Sequence, residues 1–134
     1  MNYRHAYHAG NFADVIKHLI LARVLTYFMR KETPFFVMDT HAGVGKYDLS
    51  ATEANKTQEY ERGVVKFLNA VAHAPKPIRE LCEPYVALLA KLNPDQLKVY
   101  PGSPLIAQSM IRRTDRLSLI ELHPDDYAKS GRQL

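Results

Sequence analysis

Hydrophobic residues recur at helical spacing near the start of the chain. From about Phe12 to Arg30 apolar side chains return every three or four positions, and Asn11 is suited to cap the helix that this spacing predicts. Lys17 and His18 fall at the edge of the apolar stripe, where solvent exposure is the ordinary expectation. The predicted stripe consists of Val15, Leu19, Ala22 and Thr26, broadened by Ile16, Ile20, Val24 and Phe28.

A strand, a helix and a second strand are predicted around a long intervening segment. A continuous apolar run over 34–38 is short enough for a buried strand, and a run over 117–120 predicts another. Helical spacing over 104–113 predicts the helix between them, with Ser103 as its N-cap. These elements would form one right-handed βαβ unit with parallel strands. The cations predicted for the last helical turn are Arg112 and Arg113.

The intervening segment is predicted to be helical. Residues 51–93 have helical spacing with a break near the middle, and Pro84 kinks or divides the second helix. We therefore expect residues 46–100 to form a helical insertion subdomain. Residues 1–45 and 101–134 would form an incomplete Rossmann-like α/β part that binds a cofactor.

Both predicted strands end at an acidic residue. Asp39 ends the first and leads into a turn with Gly43 and Gly45, and Glu121 ends the second. Open α/β sheets bind nucleotides and cofactors at the carboxyl ends of their strands, and glycines let a ligand approach the backbone closely. Glu121 could hold a ribose diol, and Asp39 suits hydroxyls or a cationic amine better than phosphate. The alternative for the turn after Asp39 is a tight turn that binds no ligand, and the alternative for Glu121 is an exposed acid without a ligand.

Composition and charge narrow the class of protein. The chain has 134 residues, the size of one domain, and its single cysteine, Cys82, fits a reducing cytoplasm. It contains no apolar run for a membrane span and no Cys/His spacing of a zinc site, so neither membrane nor metal is expected. A net charge of +4 is compatible with RNA. Tyr3, Arg4 and His5 combine stacking rings with a cation, although a purely structural lid explains these residues equally well.

Four stretches of the sequence resemble one family of enzymes. They are NYRHAYHAGNFADVIKH (2–18), DTHAGVGKYDL (39–49), YPGSPLIA (100–107) and ELHPDDY (121–127). They are similar to the RlmJ family, bacterial S-adenosylmethionine-dependent methyltransferases that act on N6 of an adenosine in large-subunit (23S) ribosomal RNA. The resemblance covers essentially the whole chain and implies a class I, Rossmann-like fold with a helical subdomain.

The resemblance also implies roles for individual residues. Matched residue by residue, four positions contact S-adenosylmethionine, and Tyr3 meets the RNA. The four are His18, His41, Ser103 and Glu121. With the glycine turn and the neighbouring residues included, the expected cofactor-binding residues are Lys17, His18, Asp39, His41, Gly43, Ser103 and Glu121, and the expected RNA-binding residues are Tyr3, Arg4 and His5.

The sequence departs from the family pattern in one respect. The family's catalytic motif, Asp-Pro-Pro-Tyr, follows a later strand, and this sequence contains no Pro-Pro dipeptide. We therefore expect the catalytic residues beyond Leu134 and expect the chain alone to be inactive. The alternatives are a non-catalytic module that binds S-adenosylmethionine or RNA and, less favoured, a dinucleotide-dependent oxidoreductase. An unpaired edge on the first strand predicts either self-association or a piece of a longer protein.

Overall fold

The computed structural model describes residues 5–123 and 125–126, which form a mixed α/β structure. In this part of the chain, every helix is too short or too polar to cross a bilayer. The helices are α1 (Phe12–Phe28), α2 (Thr52–Thr57), α3 (Lys66–Ala72), α4 (Lys76–Leu92) and α5 (Ser103–Met110), with a 3₁₀ turn at His5–Tyr7 and a π-helical turn at Glu61–Val65. The strands are β1 (Phe36–Asp39), β2 (Lys46–Asp48), β3 (Val99–Pro101) and β4 (Arg116–Leu119).

The long helix α1 begins where the sequence predicts. Asn11 Oδ1 accepts a hydrogen bond from the Asp14 N–H at 3.0 Å, which caps the first turn. The side of α1 that is buried was predicted only in part. Apolar residues cover most of this helix, so their spacing could not show which side packs against α4 and α5. Its buried residues are Asp14, Val15, His18, Ala22 and Leu25. The predicted stripe residues that are instead exposed are Ile16, Ile20, Val24 and Phe28.

The two predicted strands form a parallel pair. β1 pairs with β4 in a register that runs from Phe36 opposite Arg116 to Asp39 opposite Leu119. The Ile120 N–H extends the pair by donating to the carbonyl oxygen of Asp39 at 2.8 Å. The prediction of two parallel strands is confirmed, with their ends shifted by one or two residues. The predicted burial of the first strand is wrong: Phe36 and Met38 are exposed, because β1 belongs to a two-stranded sheet in the described chain. As a result, the carboxyl ends of β1 and β4 lie side by side.

The start of α5 differs from the prediction. Gly102 is the N-cap, Ser103 is the first helical residue, and no side chain caps the helix. The Gly102 N–H donates to the carbonyl oxygen of Gly45 at 2.9 Å. A Cβ at Gly102 would lie 2.3 Å from the carbonyl oxygen of Val44, so only glycine permits this approach. The contact with the glycine turn therefore places the N-cap one residue earlier than Ser103.

The end of α5 also differs from the prediction. The helix ends at Met110, so Arg112 and Arg113 lie beyond its last turn. The Arg112 guanidinium donates to both carboxylate oxygens of Asp115 at 3.0 Å and to the carbonyl oxygen of Lys31 at 2.7 Å. These acceptors hold Arg112 in the connection to β4, at the end of the strand pair opposite its carboxyl ends.

The segment between β1 and α5 contains the predicted helices and a strand pair. Pro84 lies inside α4, which continues undivided from Lys76 to Leu92. β2 and β3 pair antiparallel, with Tyr47 opposite Tyr100. The extended piece at β3 was predicted but β2 was not, because three residues are too few to show an alternating pattern.

One buried cluster connects this segment with the rest of the described chain. It contains residues of α1, α4, β2, β3 and α5, so the helices of the segment and the strand-helix unit pack on the same core. The division into two domains stays a prediction. The largest fully buried apolar and aromatic side chains are Tyr85, Tyr100, Leu89, Ile106 and Val64.

Candidate functional site

A cavity of about 240 Å³ lies at the carboxyl ends of β1 and β4. The turn after β1, the start of α5, one side of α1 and the residues after β4 contribute to its wall. This is the position at which parallel sheets place ligands. The lining residues are His5, Lys17, His18, His41, Ala42, Gly43, Tyr47, Gly102, Ser103, Glu121, His123 and Asp126.

Glu121 joins the two strand ends. Its Oε2 accepts the Gly43 N–H at 2.7 Å, and its Oε1 accepts the His123 N–H at 2.7 Å. The hydrogen bond from His123 and then that from Gly43 outweigh burial and lower the pKa of Glu121. The side chain is therefore an ionised acceptor at neutral pH. The Leu122 N–H also contributes to the low pKa, and since a carboxylate has about four lone-pair sites, Glu121 can still accept a hydrogen bond from a ligand.

The glycine turn requires glycine at Gly43 for its backbone conformation. Gly43 has a φ of +63°, and a Cβ there would lie 3.1 Å from the Tyr47 hydroxyl. Residues other than glycine rarely adopt this φ, so any substitution at Gly43 would strain the backbone. The backbone of the turn thus stays open toward the cavity, with its Gly43 N–H directed at Glu121.

Asp14, which the sequence reasoning missed, is a buried carboxylate that holds the N-terminal turn against α1. It is 2% exposed and accepts the Gly10 N–H at 3.0 Å. His5 Nε2 lies 2.8 Å from Asp14 Oδ2, and Lys17 Nζ lies 3.0 Å from Oδ1. Burial raises the pKa of Asp14, but the hydrogen bond and charge of His5 and the charge of Lys17 outweigh it, so the pKa lies well below its usual range.

His18 was expected at the edge of the apolar stripe, but it is 1% exposed. Its Nδ1 lies 2.8 Å from the Tyr100 hydroxyl oxygen, whereas its Nε2 has no hydrogen-bond partner among the described residues. Burial and then the charge of Lys17 lower the pKa of His18 to about 3. His18 is therefore neutral at physiological pH. A buried polar atom without a partner at a cavity wall is the arrangement expected where a ligand completes the hydrogen bonds.

The structure brings most of the predicted site residues together. Asp39 alone of the predicted cofactor residues lies outside the cavity. It lines an adjoining cleft that shares Lys17, His41 and Ser103 with the cavity, and its Oδ1 accepts the His41 N–H at 3.1 Å. Tyr3 and Arg4 lie outside the described residues. The predicted residues that share the cavity are His5, Lys17, His18, His41, Gly43, Ser103 and Glu121.

Sequence reasoning missed further residues of the cavity. Tyr47 lies on the unpredicted strand β2, and His123 and Asp126 follow Glu121 within the ELHPDDY stretch. The sequence carried a signal for the last two, because they lie within five residues of the predicted strand end. Tyr47 carried none, since its position depends on the antiparallel pair that β2 forms with β3.

Comparison with known proteins gives the family. Residues 32–132 match the family model described as "Ribosomal RNA large subunit methyltransferase D, RlmJ". The chain belongs to the RlmJ family. The resemblance seen in the sequence is thereby confirmed.

Relatives of this RlmJ-family chain are considerably longer. It is 44% identical over 129 residues to Ribosomal RNA large subunit methyltransferase J of Haemophilus influenzae and 40% identical over 128 residues to the protein of that name from Escherichia coli. Each match covers 95% of this chain and 44% of the relative. A crystal structure of the Legionella pneumophila protein LPL1258 superimposes with a TM-score of 0.81 at 40% identity, over 90% of this chain and 43% of that one. The chain thus spans less than half the length of each of these three proteins.

Proposed function

We propose that this chain is the S-adenosylmethionine-binding part of a methyltransferase that modifies N6 of an adenosine in large-subunit (23S) ribosomal RNA. One observation carries the proposal: Glu121 accepts the Gly43 N–H at the carboxyl ends of two parallel strands. In a class I, Rossmann-like fold, this is where the adenosyl group is bound. Membership of the RlmJ family and relatives named as ribosomal RNA methyltransferases support it.

The chemistry of the cavity fits S-adenosylmethionine. Glu121 is an ionised acceptor for the ribose hydroxyls, and the unpartnered Nε2 of His18 suits a polar atom of the cofactor. The cofactor's cationic sulfonium and amine match Asp39, whose cleft adjoins the cavity through Lys17 and His41. When bound, S-adenosylmethionine supplies the methyl group. The residues of this chain bind and orient it, which is the main way such enzymes lower the barrier to transfer.

The chain is proposed to bind the cofactor without completing the reaction. The target base must be extruded and its exocyclic amine held, and the family motif Asp-Pro-Pro-Tyr that serves this purpose does not occur in the sequence. The alternative is a non-catalytic module that binds S-adenosylmethionine or RNA. In a radiolabelled methyl-transfer assay on unmodified 23S RNA, both readings predict no transfer by the chain alone, and transfer would contradict the absence of a catalytic centre. Transfer by the chain joined to the remaining part of a relative would favour the methyltransferase over the module.

Ribosomal RNA is the proposed partner, which places the protein in the cytoplasm. The net charge of +4 favours a polyanion, and His5 of the expected RNA arm lies at the cavity wall, where Asp14 holds it. Tyr3 and Arg4 precede it in the sequence. In a chain joined to the remaining part of a relative, Tyr3→Ala is expected to reduce methylation and leave cofactor affinity unchanged. Equal loss of both would indicate a role of Tyr3 in folding instead.

We propose that further polypeptide covers the exposed side of α1. This polypeptide would correspond to the part of the longer relatives that does not align with this chain. Apolar side chains follow this side at intervals of four residues, and in the described chain β1 pairs only with β4, which leaves its other edge open. Since the relatives contain more than half of their length outside the match, they have polypeptide to cover it. Where these positions are left uncovered, we expect the chain to self-associate. The exposed apolar side chains are Phe12, Ile16, Ile20 and Val24 on α1 and Phe36 and Met38 on β1.

A calorimetric titration of the purified chain with S-adenosylmethionine and with S-adenosylhomocysteine tests the proposed function. We expect each to bind at one site per chain. Nicotinamide adenine dinucleotide is the matched control, because it also carries an adenosyl ribose but belongs to the oxidoreductase alternative. Failure of both sulfur ligands to bind, or tighter binding of the dinucleotide, would contradict the proposal.

A further inference from the structure

Three buried polar groups form a hydrogen-bonded chain that ends at the cavity. The Tyr85 hydroxyl on α4 lies 2.8 Å from the Tyr100 hydroxyl on β3, which in turn lies 2.8 Å from His18 Nδ1 on α1. Each of the three residues is at most 1% exposed. The other imidazole nitrogen, His18 Nε2, has no hydrogen-bond partner in the described residues, and His18 lines the cavity.

The number of protons on Tyr85, Tyr100 and His18 limits the directions in which their hydrogen bonds can be donated. Each tyrosine hydroxyl has one proton to donate, and a neutral imidazole has one proton, carried by either nitrogen. If Tyr85 donates to Tyr100 and Tyr100 donates to Nδ1, both hydroxyl protons are used and the imidazole proton is on Nε2. If His18 instead donates from Nδ1, one of the two hydroxyl protons has no acceptor among the described residues.

An unused hydroxyl proton would be unfavourable here. Tyr85 and Tyr100 are both fully buried, so water cannot accept the proton. A buried donor without an acceptor loses the whole hydrogen bond that it makes to water when exposed, which disfavours that ordering. The ordering that starts at Tyr85 also leaves one proton over, on His18 Nε2, which has no partner among the described residues. His18 lines the cavity, however, where a ligand or water can accept that proton, whereas Tyr85 does not line it. The ordering that starts at Tyr85 is therefore favoured.

We propose that Tyr100, oriented by Tyr85, is a positioning residue that fixes the neutral imidazole of His18 with its proton on Nε2, making this nitrogen a hydrogen-bond donor to the ligand. The group that it meets is an acceptor atom, such as a carboxylate, hydroxyl or ring nitrogen. This ligand role rests on the proposed function, but the position of the proton does not. The charged or titratable groups near the imidazole are Asp14, Lys17 and His5.

Heteronuclear NMR of the imidazole nitrogens tests the proton's position directly. His18→Gln identifies the His18 signals by their loss. In the unaltered protein we expect Nε2 to have the shift of a protonated nitrogen and Nδ1 that of an acceptor. In Tyr100→Phe we expect the two shifts to move toward each other as both tautomers become populated. Tyr60→Phe, which removes a hydroxyl from a tyrosine packed elsewhere on the same core, is the matched control and should leave both shifts unchanged.

The result that overturns the proposal is a proton on Nδ1 in the unaltered protein, or tautomer shifts that Tyr100→Phe does not move. A purely structural role of Tyr100 would lower stability and leave the tautomer unchanged. The first measurement needs no variant, so it decides the matter even if Tyr100→Phe fails to fold. Affinity for S-adenosylhomocysteine should fall roughly three- to ten-fold in Tyr100→Phe. If the unaltered protein does not bind this ligand, the proposed function fails while the tautomer assignment stands.

Discussion

Replacing Gly102 by alanine tests whether the approach of α5 to the glycine turn shapes the site. The added methyl carbon would lie 2.3 Å from the carbonyl oxygen of Val44, where real contacts are essentially never below 3.0 Å. The backbone must therefore separate by at least about 0.7 Å, the difference between these distances. Gly102 has a φ of −78° and a ψ of 170°, which alanine also adopts, so the expected cost is steric and not conformational.

The magnitude follows from two contributions. Overpacking of a close contact costs about 1–3 kcal/mol. The separation also lengthens the 2.9 Å hydrogen bond from the Gly102 N–H to Gly45, and a lost hydrogen bond costs about 1 kcal/mol. We expect the free energy of unfolding to fall by about 2–4 kcal/mol. Because Ser103 would shift relative to Gly43, affinity for S-adenosylhomocysteine should fall as well.

Urea unfolding followed by circular dichroism measures the change in stability, and calorimetry measures the change in affinity. Ser109→Ala is the matched control, since it changes one exposed side chain on the same helix and should alter stability by at most about 0.5 kcal/mol. A Gly102→Ala variant as stable as the unaltered chain, with unaltered affinity, would refute the reasoning about this contact.

Three further changes have defined outcomes. Lowering the pH from 6.5 to 5 should reduce the free energy of unfolding by about 2 kcal/mol through His18. The pKa of His18 is about 3 in the folded protein and 6.5 in the unfolded chain, so only the unfolded state gains a proton between these pH values. Urea unfolding at both pH values should show that contribution missing in His18→Gln; an equal pH slope would contradict it. Gly63→Ala should destabilise by more than Gly102→Ala, because its Cβ would lie 2.0 Å from the carbonyl oxygen of Gly10, and a gain in thermal stability would show this contact to be misjudged. Ile20→Glu should abolish the expected self-association, measured by sedimentation velocity. Asn69→Glu makes the same charge change at an exposed position on α3 and should leave the association unchanged. Association that persists in Ile20→Glu would exclude the apolar side of α1 as the contact surface.

The strand ends could be predicted because their signals are local. The apolar run that stops at Asp39 and the one before Glu121 each mark a short strand, and parallel pairing then brings their carboxyl ends together. The burial that these runs predicted is wrong, because the strands pair only with each other in the described chain and Phe36 and Met38 are exposed. The N-cap at Asn11 was equally visible, since its amide oxygen bonds within the first turn of the helix. No knowledge of distant parts of the chain was needed for these features.

The buried polar groups could not be predicted for the opposite reason. His18 and Asp14 are buried because α4, β3 and the N-terminal turn cover one side of α1, and the apolar residues on its other side gave the spacing no preference. The partner of His18 is Tyr100, 82 residues away in the sequence. Ser103 was misplaced by one position, since the helix start is fixed by the backbone contact of Gly102 with Gly45 rather than by a capping side chain.

Titration of S-adenosylhomocysteine into the unaltered chain and into Glu121→Ala tests the adenosyl site most directly. Loss of hydrogen bonds to an ionised carboxylate should weaken binding by roughly 1.5–3 kcal/mol. Glu80→Ala, which removes an exposed carboxylate from α4, should leave the affinity unchanged. Circular dichroism of each variant checks that the fold is retained. Weakened binding in Glu121→Ala alone is the predicted result, and equal affinity of Glu121→Ala and the unaltered chain would contradict a ribose-binding role for this carboxylate.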